Sequence, residues 1–330
     1  MLPCTAPPVP LVVGAGIAAA LVLAGCSTGD ATRAPTGTEA SASAPPATPT
    51  PTRTRTRTPT VSDADRAAVT GALAALEHEY DATVGVVATD TTTGDTVSYR
   101  GDRRFGYAST IKVFAAAQFL RTVRGHARDA RVHWTVDDVA AAGHSPVTGA
   151  HVADGLTLAQ LAEAAVRQSD NTALNVVLEH IGGPASLGAA LRDLGDRTTE
   201  VVHDEPALNM IEPGSTEDTT TAAASTASLA RVLDGRTLGP ADTALLEAWM
   251  SGNATGDTLV RAGAPTGWTV ADKSGGAGGI RDDVALVTRP DGDPIVISVL
   301  TTRNQPGTPY DDALVAETAH AVLGAFAAAR

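Results

Sequence analysis

Beyond Cys26 the sequence has no cysteine, so neither a disulfide nor a cysteine-held metal cluster can stabilise the body of the chain. Lysine is almost as scarce: among 24 basic residues only Lys112 and Lys273 are not arginine. None of the eight histidines lies four residues from another, so no metal site of the His-x-x-x-His type is present. Basic charge is in deficit, with 24 Lys and Arg against 37 Asp and Glu and a formal charge of −13. The first 25 residues carry no charged side chain, and residues 26–61 hold four arginines against two acids, so the rest of the chain is more acidic still. That balance disfavours nucleic acid as a partner. A chain of 330 residues with 43% apolar side chains suits one large domain or two small ones, held by an ordinary core.

The apolar run at residues 11–23 is 13 residues long, about half of the roughly 20 that a bilayer-spanning helix needs. It reads as the h-region of a signal peptide covering residues 1–25. Leu23-Ala24-Gly25-Cys26 closes it and resembles the lipobox of bacterial lipoproteins, which implies cleavage before Cys26 and a lipid on that cysteine as the link to the membrane. Residues 1–10 lack the Lys or Arg usual ahead of such a run. The expected location is extracytoplasmic, either anchored or secreted. Residues 26–61 are almost all Ser, Thr, Pro, Ala, Gly and Arg, a composition that cannot bury enough apolar surface to offset its ordering entropy, so they are expected to be a disordered tether.

At Ser62 the pattern changes, and residues 62–330 are expected to form the folded domain. Ser62-Asp63-Ala64-Asp65 has the form of a helix start, and Val69, Leu73, Leu76 and Tyr80 recur at helical spacing. Two β-type runs, 84–89 and 96–100, flank Thr93-Gly94-Asp95, a hairpin signal. Helical patterns occupy 110–124, 156–168, 173–181, 220–233 and 241–250, strand patterns return at 268–273, 283–288 and 295–302, and a last helix is expected over 311–328. Strands at both ends around a helical middle predict an α+β fold: one antiparallel sheet formed from both chain ends, flanked by terminal helices, with a mostly helical second subdomain inserted in the middle.

A sequence that writes arginine nearly everywhere keeps lysine where a guanidinium cannot lose its proton or cannot fit. Lys112 stands in Ser109-Thr110-Ile111-Lys112 at the start of an apolar helix pattern, where serine and lysine three apart share a face and free N–H groups favour negative charge. Lys273 ends a strand pattern in Lys273-Ser274-Gly275, with Gly275, Gly276, Gly278 and Gly279 allowing close approach of a ligand to the backbone. Between the two stands Ser169-Asp170-Asn171, at the junction of two helical patterns.

Ser-x-x-Lys, Ser-Asp-Asn and Lys-Ser/Thr-Gly, in that order, resemble the signature of the penicillin-recognising serine enzymes. Glu205-Pro206-Ala207-Leu208-Asn209 is similar to the Ω-loop motif that separates class A β-lactamases from the related cell-wall peptidases. The resemblance spans roughly residues 62–330. It implies hydrolysis of the β-lactam amide of penicillins and cephalosporins by a monomer that needs only substrate and water, with no cofactor and no metal. Ser109 is then the nucleophile, with its own N–H and that of Gly276 as the oxyanion site. Lys112, or Glu205 through a water, takes the proton in acylation; Ser169 passes a proton to the leaving nitrogen; Asn171 holds the side-chain amide. Lys273, Ser274, Gly275 and Arg281 face the substrate carboxylate and its strand, while Glu205 and Asn209 hold the deacylating water. A D,D-peptidase that stalls as an acyl-enzyme, and an inactive wall-binding lipoprotein, are the alternatives; Glu205 argues against the first, and the intact motifs against the second.

Three positions depart from the family pattern. His203 stands where an arginine usually pairs with the aspartate at the base of the Ω-loop, here Asp218. His144 takes a place at the cleft rim that is commonly aromatic, and Ala108 before the nucleophile excludes the disulfide of one carbapenem-hydrolysing subgroup.

Overall fold

Ser62 starts the first helix as its sequence suggests, its hydroxyl accepting the Asp65 backbone N–H at 3.1 Å. The computed structural model describes residues 60–329. Helix α1 (Asp63–Glu79) leads into β1 (Ala82–Asp90), β2 (Thr96–Tyr99), the short β3 (Arg104–Gly106) and helix α2 (Ile111–Thr122). The middle of the chain runs β4 (Arg131–Val132), α3 (Val136–Ala142), β5 (Leu156–Thr157), α4 (Leu158–Arg167), α5 (Asn171–His180), α6 (Gly183–Asp193), β6 (Thr219–Thr221), α7 (Ala222–Val232), α8 (Pro240–Ser251) and α9 (Val260–Gly263). Strands β7 (Thr269–Ala277), β8 (Ile280–Thr288) and β9 (Pro294–Arg303), then α10 (Asp312–Ala328), complete it.

The five-stranded sheet has the order β2-β1-β9-β8-β7, every pair antiparallel, so the first and last thirds of the folded chain share it. Val86 faces Val299 across β1 and β9, and Lys273 faces Val284 across β7 and β8. Helices α1 and α10 cover one face through Val69, Leu73, Val315, Leu323 and Phe326, packed on Val86, Ile297 and Val299. The other core gathers around α2, nine of whose 12 residues are buried, as expected for a helix apolar nearly all round. The α+β reading holds, with the helical body inserted between β3 and β7.

Helix boundaries differ from the spacing-based expectation for local reasons. The pattern over 156–168 begins as a strand: Thr157 and Gln160 form a reciprocal capping box that starts α4 at Leu158. Asp170 caps α5 through the Ala173 N–H at 2.9 Å, so that helix starts at Asn171 rather than 173. Thr221 caps α7, which moves its start from 220 to 222. Strand β7 does not stop at Lys273 but continues through the glycines to Ala277, because pairing with β8 satisfies their backbone groups. Helices α3 and α6 lack a pattern strong enough to predict them; α6 buries only Leu187, Gly188, Ala190 and Leu191, too small and interrupted a stripe to stand out.

Candidate active site

Ser109 lies in a 3-10 turn, Ala108–Thr110, immediately ahead of α2 rather than within it. Ala108 holds φ at +42°, a left-handed conformation costly for a residue with a Cβ, and the Thr110 hydroxyl pins the turn to the Tyr107 carbonyl at 2.6 Å. Strand β7 passes close behind: a Cβ at Gly275 would meet the Tyr107 oxygen at 3.0 Å and the Ser109 nitrogen at 3.2 Å, so only glycine lets the strand approach the nucleophile.

Three residues after Ser109, as the second residue of α2, Lys112 is completely buried. Its ammonium donates to the Ser169 carbonyl at 2.7 Å and Asn171 Oδ1 at 2.5 Å, and lies 3.0 Å from Glu205 Oε1. Burial pulls its pKa below the usual lysine range, against the opposing pull of the Glu205 carboxylate. Lys273, equally buried, donates to Ser169 Oγ at 3.1 Å and to the Ser274 carbonyl at 2.7 Å. Its pKa is lowered to about 7, first by burial and then by the neighbouring Lys112 cation. Both ammonium groups thus reach the Ser169 hydroxyl, Lys112 at 3.4 Å, with Ser169 held at φ +54° between α4 and α5. The Asp170 carboxylate, wholly buried, ties that junction to the loop before it by accepting the Val147 and Thr148 N–H groups, each at 2.9 Å.

Glu205 reaches the same space from the opposite wall. Its Oε1 accepts the Ser109 hydroxyl at 3.4 Å, and its Oε2 accepts the Asn209 amide at 2.6 Å. Asn175, on the same face of α5 as Asn171, clamps the Glu205 backbone through both groups, at 2.9 Å and 2.8 Å. At the base of this loop, Asp218 accepts the Tyr107 hydroxyl at 2.6 Å and the Val202 and His203 N–H groups at 3.0 and 3.1 Å. His203 Nδ1 lies 2.5 Å from Asp218 Oδ2, the pairing anticipated from sequence, and that hydrogen bond raises the histidine pKa.

All eleven motif residues expected to act on substrate converge on this cleft of about 470 Å³. Ser109, Ser169, Asn171, Glu205, Asn209, Ser274, Gly275, Gly276 and Arg281 line it, and Lys112 and Lys273 lie beneath. His144 is also at its wall, with Nε2 3.2 Å from the Gln168 carbonyl. Cys26 lies outside the described residues. Four further participants carry no motif of their own: Asn175, Thr255, Tyr310 and Asp312. Thr255 shares a hydrogen bond with Ser274 at 2.6 Å, Asp312 accepts Arg281 Nε at 2.7 Å, and the Arg281 guanidinium stacks over Tyr310 at 4.7 Å from the ring centre. Only Asn175 leaves a signal in the sequence, its spacing of four from Asn171. Among the described residues there is no cluster of His, Cys, Asp and Glu able to hold a metal ion.

The arrangement offers a hydroxyl against a carboxylate, a second hydroxyl between two amines, and a strand edge of N–H groups opposite, the parts that acyl transfer requires. Residues 68–326 match the Beta-lactamase enzyme family. The chain is 44% identical over 254 residues to a β-lactamase of Bacillus licheniformis, covering 77% of this chain and 82% of that protein. Its fold superposes on a class A β-lactamase from Clostridium kluyveri with a TM-score of 0.76 at 40% identity, over 79% of this chain and 99% of that one. A β-lactamase structure from Streptosporangium roseum is matched at TM-score 0.76 and 39% identity, over 79% and 99% of the two chains.

Proposed function

The chain belongs to the class A β-lactamases, hydrolases of the β-lactam amide, and from that premise we propose which of its residues performs each step. Ser109 Oγ attacks the β-lactam carbonyl while the N–H groups of Ser109 and Gly276 receive the developing oxyanion. The Ser109 proton passes to Glu205, whose Oε1 is the one side-chain acceptor of that hydroxyl among the described residues. As the C–N bond breaks, Ser169 donates its hydroxyl proton to the leaving nitrogen and is reprotonated from Lys112, which recovers the Ser109 proton from Glu205 3.0 Å away and leaves the glutamate a carboxylate again. Lys273, Ser274 and Arg281 take the substrate carboxylate, and Asn171 the amide of its side chain. Water positioned by Glu205 and Asn209 then attacks the ester, with Glu205 as general base.

The observation that carries this reading is the position of Glu205: 3.4 Å from the nucleophile, 3.0 Å from Lys112, and clamped through Asn209 and Asn175. A carboxylate so held supplies the deacylation that a D,D-peptidase lacks. Steady-state hydrolysis of a chromogenic cephalosporin should proceed with the parent. Glu205→Ala should slow deacylation by about 10²–10⁴-fold, so that mass spectrometry finds intact acyl-enzyme. Ser109→Ala should form no adduct. Parent-like turnover by Glu205→Ala would remove the glutamate from the mechanism.

We also propose that the enzyme acts outside the cytoplasm, tied to the membrane by a lipid on Cys26; the Leu-Ala-Gly-Cys pattern and the apolar run before it support this. Cys26→Ser should move activity from the membrane to the soluble fraction. Equal partitioning of both forms would refute the anchor.

A further inference from the structure

A second cavity, of about 720 Å³, opens beside the catalytic cleft. Asn209 lines both, and along β7 the cleft residue Gly276 is followed directly by the cavity residue Ala277, so two walls run from one space into the other. None of Ser274, Arg281, Tyr310 and Asp312, the groups at the carboxylate end of the cleft, lines the cavity. It therefore adjoins the part of the site from which a substrate's acylamino group would project. Part of its floor is apolar and closely built: a Cβ at Gly106 would meet Ile280 Cδ1 at 2.7 Å and Ile211 Cγ1 at 3.0 Å, so the glycine lets these two isoleucines close over the strand.

Three charged side chains line this space: Arg103, Arg104 and Glu212. Arg104 is already engaged, donating to the Thr219 hydroxyl at 2.9 Å and lying 3.6 Å from Glu200. Arg103 and Glu212 are exposed, and among the described residues neither side chain has a hydrogen-bond or ion-pair partner. One uncommitted cation and one uncommitted anion on the same cavity, above a floor that is apolar in part, are complementary to a methylene chain that ends in both charges. A side chain with a terminal carboxylate alone would meet Glu212 as well as Arg103, and one with an ammonium alone would meet the arginines.

We propose that this cavity selects β-lactams whose acyl side chain is a flexible methylene chain ending in an α-amino acid, with the carboxylate at Arg103 and the ammonium at Glu212. The proposal rests on the assignment of β-lactam hydrolysis to the adjoining cleft. Its test is kcat/KM for four cephalosporins of one nucleus, carrying 5-amino-5-carboxypentanoyl, 5-carboxypentanoyl, 5-aminopentanoyl or pentanoyl side chains. The first should be preferred over the last by about fivefold, and the two singly charged chains should fall between them. The preference should reside in KM and shrink in 0.5 M salt, as charge pairing at an exposed site is screened (Debye length below about 8 Å). Arg103→Ala and Glu212→Gln should each bring it toward unity while leaving pentanoyl turnover within about twofold, since both side chains are exposed and neither serves the fold through a partner. Equal kcat/KM for all four compounds in the parent, or a preference that survives both substitutions, would overturn the proposal. Failure of the underlying assignment would look different: none of the four would be hydrolysed.

Discussion

Lys273 meets its substrate with a charge that is itself pH-dependent. With a pKa near 7, set by burial and by Lys112, it is cationic at pH 6 and mostly neutral at pH 8. A substrate carboxylate is bound by the charged form, so kcat/KM should fall as pH rises through about 7, chiefly through KM. Lys273→Arg, which stays charged, should flatten that limb; a parent profile level from pH 6 to 9 would show that the lysine keeps its proton. Linkage gives the sign for stability. The unfolded lysine holds its proton up to about 10.4, so the contribution of this depressed pKa is present above that value and is lost as pH falls through 7. Asp282 slopes the other way. It is wholly buried, accepts only the Thr301 N–H at 2.9 Å, leaves Oδ2 unpaired, and burial raises its pKa well above the carboxylate range. Its contribution is full below the unfolded value of about 3.9 and is lost as pH climbs toward the folded one. Asp282→Asn should therefore stabilise the protein at pH 7 by about 1–3 kcal/mol and have little effect near pH 4, measured by denaturant unfolding at both.

At the level of elements, the loop that carries Glu205 is fastened at its base by a pair whose charge is conditional. The His203 imidazole is raised in pKa mainly by its hydrogen bond to Asp218, and it is half exposed. The part of the loop's stability due to the imidazolium is thus full below about 6.5 and fades as pH rises through the higher folded value. Hydrogen exchange at residues 200–219 should be faster at pH 8 than at pH 6 after correction for intrinsic rates, and His203→Arg should remove the difference. Equal protection in both proteins would make the histidine a neutral replacement. This pair is legible from sequence only through the family resemblance, which places a cation and an aspartate at these two positions relative to Glu205. Long helices are legible as well, since α2 and α10 repeat large apolar residues over many turns. Strand β7 reads short in the sequence because glycine carries no strand signal of its own; its pairing with β8 comes from a neighbour that the local pattern does not mention. Thr255, Tyr310 and Asp312 escape for the same reason: Thr255, after α8, enters the site only against Ser274 of β7, and Tyr310 and Asp312, at the start of α10, only against Arg281 of β8.

In the whole molecule, the cleft is the seam between the helical body and the sheet, and each supplies a part that the other cannot. The helical body presents Ser109, Lys112, Ser169 and Asn171; the sheet presents Lys273, Ser274, Gly275, Gly276 and Arg281. Because the sheet is closed by pairing β1 with β9 along nine residue pairs, and α1 packs beside α10, the catalytic geometry depends on contacts between opposite ends of the folded chain, far from any substrate. Leu323 is fully buried in that terminal-helix core and touches nothing that reacts. Leu323→Ala should cost about 2–5 kcal/mol of stability through lost burial and the cavity left behind, with KM unchanged at temperatures where the variant is folded. If the two cores fold as one unit, β-lactam turnover and far-UV circular dichroism should be lost together in denaturant, at a lower midpoint than in the parent. Two separated transitions would show that the two bodies unfold independently, and activity surviving past the dichroic transition would overturn the division of catalytic groups between them.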